Sequence, residues 1–171
     1  MHAYRGLPPP QYRDFISLEL QASSARTLEN TVVPGLLQTP DHARAVTRAA
    51  RDDPSAEEAD SLVEVRLARQ EVLRADGPLQ LSAVLDEAVL RRQAGGRGTM
   101  THQPRQLLEL AQLPHVRLQV VPFASGGHIY LTGPFAIFSF PNIADLELSV
   151  GHTKTGHRPV LLRVTRWARS C

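Results

Sequence analysis

Arg66, Arg69 and Gln70 stand at i, i+3 and i+4, so on a helix they share one side. Leu62, Val63 and Leu73 flank that side. A guanidinium set among apolar neighbours must snorkel to water or meet carboxylates, because a buried charge without a partner is strongly destabilising. Two chemistries follow. One is a buried ion-pair network, for which Asp86 or Glu87, beyond the next predicted strand, would supply the carboxylate. The other is an anionic ligand or partner site, since the planar guanidinium fork grips a carboxylate or phosphate with two bonds at once. The network is the simpler reading.

Asp86-Glu87 also falls at a strand-to-helix junction, where carboxylates cap helices. A general acid or base there would need a cleft and a perturbed pKa. Between Pro122 and Pro134, Phe123, His128, Ile129, Tyr130 and Leu131 occupy a Gly-containing connection. Such a loop either packs on itself or walls a ligand site, and in the second case His128 and Tyr130 are its polar groups.

Other chemistries lack their residues. The histidines at 2, 42, 102, 115, 128, 152 and 157 include no i, i+4 pair, and no cysteine pair accompanies them, so no metal is expected. His152 and His157 read as solvated loop residues. Gly95-Gly96 and Gly126-Gly127 do not follow phosphate-loop spacing, and no cofactor is expected. Gly-Xaa-Ser-Xaa-Gly is absent, and Cys171 at the terminus is a poor nucleophile.

The elements that must position these residues can be read from periodicity and caps. Phe15, Leu18, Ala22, Ala25 and Leu28 predict a helix over about 11–28, broken by Pro34-Gly35, with Leu36-Leu37 as an apolar plug. Thr39 should cap a helix running to about Ala50, and Ser55 a longer one over 56–74 with Glu57 and Glu58 in its first turn. Leu79 to Leu85 alternates as a strand with one buried face. Asp86 should cap a short helix to Arg92, ended by Gly95-Gly96. A further helix covers about Pro104 to Leu113, and Val116 to Val120 a strand stopped by Pro122. Phe135 to Phe140 is apolar on both faces, which places it centrally in a sheet. Val160, Leu161, Val164, Trp167 and Ala168 oppose Arg163, Arg166 and Arg169, predicting an amphipathic helix over 159–167. The expected class is α+β rather than doubly wound: a helical N-terminal half, then a small sheet with interspersed helices.

At 171 residues the chain is long enough for one domain without metal or disulfide staples. Residues 1–10, ending in three prolines, read as a leader, and 11–171 as a single α+β effector or ligand-binding domain. The lone Cys171 permits no disulfide within the chain. No apolar run reaches the ~18 residues of a membrane span, and the N-terminus lacks the core of a secretion signal, so no membrane partner and a cytoplasmic location are expected. The net charge of +2 is too small to suggest a nucleic-acid partner. From Val150 onward, however, the charges are all basic: Lys154, Arg158, Arg163, Arg166 and Arg169. A basic tail of this kind could touch nucleic acid or an acidic partner, although docking its apolar stripe on the domain is simpler.

The motifs also occur in a recognisable order. Leu18-Glu19-Xaa-Xaa-Ala22, Val33-Pro34-Gly35-Leu36-Leu37-Gln38-Thr39-Pro40-Asp41 and Arg66-Xaa-Xaa-Arg69-Gln70 come first. Val84-Leu85-Asp86-Glu87-Ala88-Val89-Leu90-Arg91-Arg92, Gly95-Gly96, Val120-Val121-Pro122-Phe123 and Gly133-Pro134-Phe135 follow. Together they resemble the effector domain of actinobacterial Xre-type helix-turn-helix regulators, antitoxin-like proteins usually encoded beside a small partner protein. The resemblance covers about residues 14 to 141. Two departures stand out. The family's helix-turn-helix module has no counterpart before this domain, so specific operator binding is not expected. After about Asn142 the family's strand and long closing helix give way to Leu146-Glu147-Leu148-Ser149-Val150 and a basic ending, and His42 stands where the family has tyrosine.

The resemblance implies a stand-alone sensor or protein-interaction domain of a transcriptional regulator. Its partner would be a small cognate protein or a second copy, and a small hydrophobic ligand is compatible. The expected ligand or partner set is Glu19, Arg66, Arg69, Gln70, Glu87, His128 and Tyr130. The alternative is a small biosynthetic enzyme, a cyclase or isomerase of a hydrophobic intermediate, using Glu19, Asp86, Glu87, His128 or Tyr130 around an apolar pocket.

Overall fold

The computed structural model describes residues 10–50, 55–126, 133–141, 143–152 and 159–165. Its frame is a mixed sheet of six strands: β1 Ser24–Glu29, β2 Gln80–Asp86, β3 Val116–Val121, β4 Phe135–Phe140, β5 Ile143–His152 and β6 Pro159–Thr165. Their order across the sheet is β3-β2-β1-β4-β5-β6. β1, β2 and β3 are parallel to one another, whereas β4 runs antiparallel to β1 and opens an antiparallel β4-β5-β6 meander. Parallel neighbours need long crossovers. The β1–β2 crossover contains α2 (Pro40–Ala49) and α3 (Ala56–Arg69), and the β2–β3 crossover contains α4 (Glu87–Arg91) and α5 (Gly96–Leu110). The fold is α+β, with a parallel half built from strand-helix-strand units.

Register identifies the core face. Ala25 lies beside Leu81 and Phe138, and Leu81 beside Val116, while Thr27 lies between Ala83 and Ala136. Ala25, Leu81, Ala83, Ala136 and Phe138 pack in one cluster with Leu36, Leu37, Leu73, Val89 and Leu107 from the connecting segments. The first helix, α1 (Pro10–Gln21), joins the same layer: Phe15 meets the Phe138 ring edge-on at 5.4 Å. The opposite sheet face is more polar, with Arg26, Arg117 and Gln119 exposed.

Local chemistry explains most boundaries. The Thr39 side chain accepts from the His42 N–H to start α2. Ser55 and Glu58 close a capping box on α3, and Asp86 accepts from the Ala88 N–H to start α4. After Arg69 the chain tightens into a 3-10 turn, Gln70–Leu73, so the helical segment reaches nearly as far as its periodicity implies. β4 lies between β1 and β5, the central place that its two apolar faces require.

Four expectations need correction. The helix predicted over 11–28 is α1 followed by β1. Ala25 and Leu28 are both buried, but their three-residue spacing puts them on opposite faces of a strand rather than one face of a helix. With Ala25 buried on one face and Leu28 on the other, beside an exposed Arg26, the apolar positions do not alternate, which is why the pattern imitates a helix. Pro10 opens α1 instead of closing a leader, an allowed place because the first helical turn needs no N–H from it. α5 begins at Gly96, with Pro104 inside it. Gly95 has φ +77° there, and a Cβ would come within 2.9 Å of Ala45 Cβ and Thr99 Oγ1. Finally, the segment predicted as a basic amphipathic helix forms β6 over Pro159–Thr165, paired along β5 from Leu146 to His152. Pairing with β5 and the β-branched Val160, Val164 and Thr165 favour the strand. Arg166, Trp167, Ala168 and Arg169 lie outside the described residues.

Candidate functional site

Val33 to Thr39 is a buried segment of mostly irregular backbone, including a single 3-10 turn at Gly35–Leu37. Backbone polar groups in such a place need partners, and here glutamine side chains supply them. Gln38 Nε2 donates to Val33 O at 2.6 Å. Gln70 Nε2 donates to Gln38 O at 2.7 Å and to Gly35 O at 3.2 Å. From α5, Gln103 donates to Leu37 O at 2.8 Å while its Oε1 accepts from Thr39 N–H at 2.8 Å. Gln106 donates to Gln38 O at 2.9 Å. The segment is therefore stitched to α3, to the turn after it, and to α5.

The arginine side of α3 lies against the same segment. Arg69 forms a two-bond pair with Glu19 of α1, Nε to Oε1 at 2.7 Å and Nη2 to Oε2 at 2.8 Å. Both side chains are almost fully buried, at 6% and 4% exposure. Arg69 Nη1 also donates to the Tyr12 hydroxyl. The guanidinium lies 5.2 Å from the Tyr12 ring centre and 5.4 Å from that of Phe15. Burial opposes the Arg69 charge, but the hydrogen bonds and attraction of Glu19, helped by Tyr12, more than offset it and hold the pKa above its ordinary value. Gly35 packs against the same guanidinium, and a Cβ there would sit at ordinary contact distance, 3.4 Å from Arg69 Nη1.

Arg66 differs. It is half-buried, donates to Gln38 Oε1 at 3.1 Å and to the Tyr12 hydroxyl at 3.5 Å, and meets no carboxylate among the described residues. Nearby His42 is 1% exposed, and neither ring nitrogen has a hydrogen-bond partner. Burial, and then the charge of Arg66, lower its pKa and keep the ring neutral.

The expected site set thus divides. Glu19, Arg66, Arg69 and Gln70 converge on one network. Neither Asp86 nor Glu87 completes it, contrary to the expected pairing. β2 carries Asp86 to its own cap on α4, and Glu87 pairs with Arg91 at 2.8 Å and accepts from the Phe123 N–H at 2.8 Å. The Phe123 N–H, and then Arg91, hold the Glu87 carboxyl below its usual range. Glu87 therefore fastens the turn after β3 to α4. His128 and Tyr130 lie outside the described residues. No group of three His, Cys, Asp or Glu among the described residues is arranged to hold a metal.

Residues 12–167 match the family described as a domain of unknown function, DUF5753. The chain belongs to that family. No curated protein and no solved structure matches it significantly. The matched span contains every residue of the Glu19–Arg69 network, including Tyr12 at its first position.

Sequence reasoning missed Tyr12, Gln38, Gln103 and Gln106 as members of this network. A usable signal existed for the last two: Gln103 and Gln106 are one helical turn apart beside Leu107 and Leu110, the same polar-on-apolar pattern that marks Arg66 and Arg69. It also passed over Glu29, at the end of β1, whose carboxyl burial pushes up to about 7.

Proposed function

We propose that this DUF5753 chain is a sensor or protein-interaction domain related to the effector half of Xre-type, antitoxin-like regulators. The observation that carries the reading is the Glu19–Arg69 pair, which locks α1 to α3 through buried charges. In regulators of the kind the sequence resembles, the DNA-reading module precedes this domain. α1 is then the element through which a change in the helical layer reaches that module. Arg66 lies beside the lock, half-buried and without a carboxylate partner among the described residues, and suits an acidic group of a partner protein. The favoured partner is the small protein encoded beside such regulators, with a second copy of this chain as the other arrangement.

Size-exclusion chromatography with light scattering, on the chain alone and co-expressed with whichever small protein its gene neighbourhood encodes, tests this. A stoichiometric complex or a stable dimer is expected. A monomer that ignores the small protein contradicts the proposal.

The enzyme alternative retains one specific observation. A carboxyl with a pKa near 7, as at Glu29, is suited to general acid–base work. Glu19 is less suited, because Arg69 occupies both its oxygens.

A further inference from the structure

Arg66 and Arg69 use the same edge of the guanidinium differently. Nε–H and Nη2–H lie parallel and form a fork, and Arg69 closes it on both oxygens of Glu19. On Arg66 the Nε–H of that fork is turned to the Tyr12 hydroxyl at 3.5 Å. Nη1 donates to Gln38 Oε1 at 3.1 Å, and Nη2 has no acceptor among the described residues. A fork is spaced for two neighbouring oxygens, and Tyr12 supplies only the first.

The Tyr12 hydroxyl shows the same shortfall. Its oxygen accepts from Arg66 Nε and from Arg69 Nη1, which engages both lone pairs. Its own hydrogen is left to donate, and no described residue accepts it. An oxygen about 2.7 Å from the hydroxyl, in line with Arg66 Nη2–H, would take both hydrogens at once. Tyr12 and Arg66 are only half-buried, so that position is within reach of solvent, unlike the Glu19–Arg69 pair behind it.

Local charge selects the group to which that oxygen belongs. Arg69 and Glu19 cancel and His42 is held neutral, so Arg66 leaves one positive charge. A carboxylate matches it. A phosphate monoester carries up to about two negative charges at pH 7 and would set the surplus beside the buried Glu19. A neutral amide oxygen would accept both hydrogens but leave the charge unmatched.

We infer that Arg66 and Tyr12 together receive one carboxylate oxygen of an acidic partner, and that Tyr12 transmits its arrival to the Glu19–Arg69 lock. A hydroxyl that donates to a carboxylate becomes a stronger acceptor, so the bond from Arg69 Nη1 strengthens as the site fills. The inference rests on the partner reading above and adds the group recognised and the residue that reports it.

The test is proton–nitrogen NMR of the arginine side chains in the whole chain. Sodium propionate is titrated at constant ionic strength, with propionamide and inorganic phosphate as comparators. Propionate should move the Arg66 Nε and Nη2 signals saturably, and the Arg69 signals should follow with the same midpoint. Tyr12→Phe should weaken propionate about tenfold, the worth of one hydrogen bond to a charged group, and leave the Arg69 signals still. Arg66→Gln should abolish saturable binding. The inference is overturned by Arg66 signals that do not saturate, by an equal response to propionamide, or by tighter binding of phosphate. Arg69 signals that fail to follow, or a Tyr12→Phe chain that binds as tightly as the native one, overturn it equally. If a variant does not fold, the native chain decides, through the contrast of propionate with propionamide and the shared midpoint of Arg66 and Arg69. A chain that takes propionate at Arg66 yet forms neither complex nor dimer keeps this inference and removes the partner reading. A complex formed by a chain whose Arg66 ignores propionate does the reverse.

Discussion

Arg69 and Glu19 are 50 positions apart in the chain and meet at 2.7 and 2.8 Å through two parallel hydrogen bonds, with both side chains out of water. Isolating either charge is unfavourable, whereas removing both need not be. Glu19→Leu or Arg69→Met alone should lower stability by about 3–5 kcal/mol. The double variant Glu19→Leu/Arg69→Met should recover much of that loss. Urea denaturation of the two single variants and the double variant measures the coupling. Losses that simply add would show that the pair is not the unit described.

His42 should make stability fall in acid. Its folded pKa lies below the ordinary 6.5, so as pH drops past 6.5 the unfolded chain takes up a proton that the folded ring resists. Its contribution is complete above 6.5 and is lost progressively below it. The urea midpoint of the native chain, compared with that of His42→Gln, should show this component between pH 7.5 and 5.5. Parallel profiles for the two proteins would contradict it.

Glu29 acts with the opposite sign. Its folded pKa of about 7 is above the ordinary 4.5, so its stabilising contribution is full below 4.5 and is lost as pH rises through 7. The shift corresponds to about 3 kcal/mol at most, before solvent screening reduces it. Glu29→Gln should therefore be more stable than the native chain at pH 8 and show little advantage at pH 4.5. Thermal melts at both values decide the matter.

The caps at Thr39, Ser55 and Asp86 were legible because a cap is local chemistry between a side chain and the N–H groups of the next turn. The central place of β4 was legible from apolar residues on both of its faces. β1 was hidden because Ala25 and Leu28 are buried on opposite faces, so its apolar positions do not alternate. β6 was hidden because its pairing partner, not its own pattern, determines its state. The arginine face of α3 was visible as a site needing carboxylates, but which carboxylate it meets depends on how α1 crosses the sheet. Glu19 therefore could not be chosen over Asp86 or Glu87 from spacing. Of the four glutamines that bond the buried loop, Gln70, Gln103 and Gln106 show a polar-on-apolar helical spacing, but which backbone groups they meet depends on tertiary packing, and Gln38 has no local signature.

Two glycines separate backbone strain from steric crowding. Gly77 and Gly95 have nearly the same positive φ, +78° and +77°, but only Gly95 has neighbours where a Cβ would go. Gly77→Ala should cost about 1 kcal/mol for the left-handed backbone alone. Gly95→Ala should cost about 2–3 kcal/mol, because α2 and α5 must also move apart. Equal losses in chemical denaturation would contradict the close approach of Ala45 and Thr99.

The central claim is that this domain works by engaging a partner beside the Glu19–Arg69 lock. Sedimentation equilibrium of the native chain and of Arg66→Glu, each alone and with whichever small protein the gene neighbourhood encodes, tests it most directly. The native chain should form a defined complex, with the small protein or with itself. Arg66→Glu should keep its fold and weaken that complex at least tenfold, about 1.4 kcal/mol. A native chain that sediments as a monomer under every condition, or a complex that the charge reversal leaves unchanged, would contradict the account.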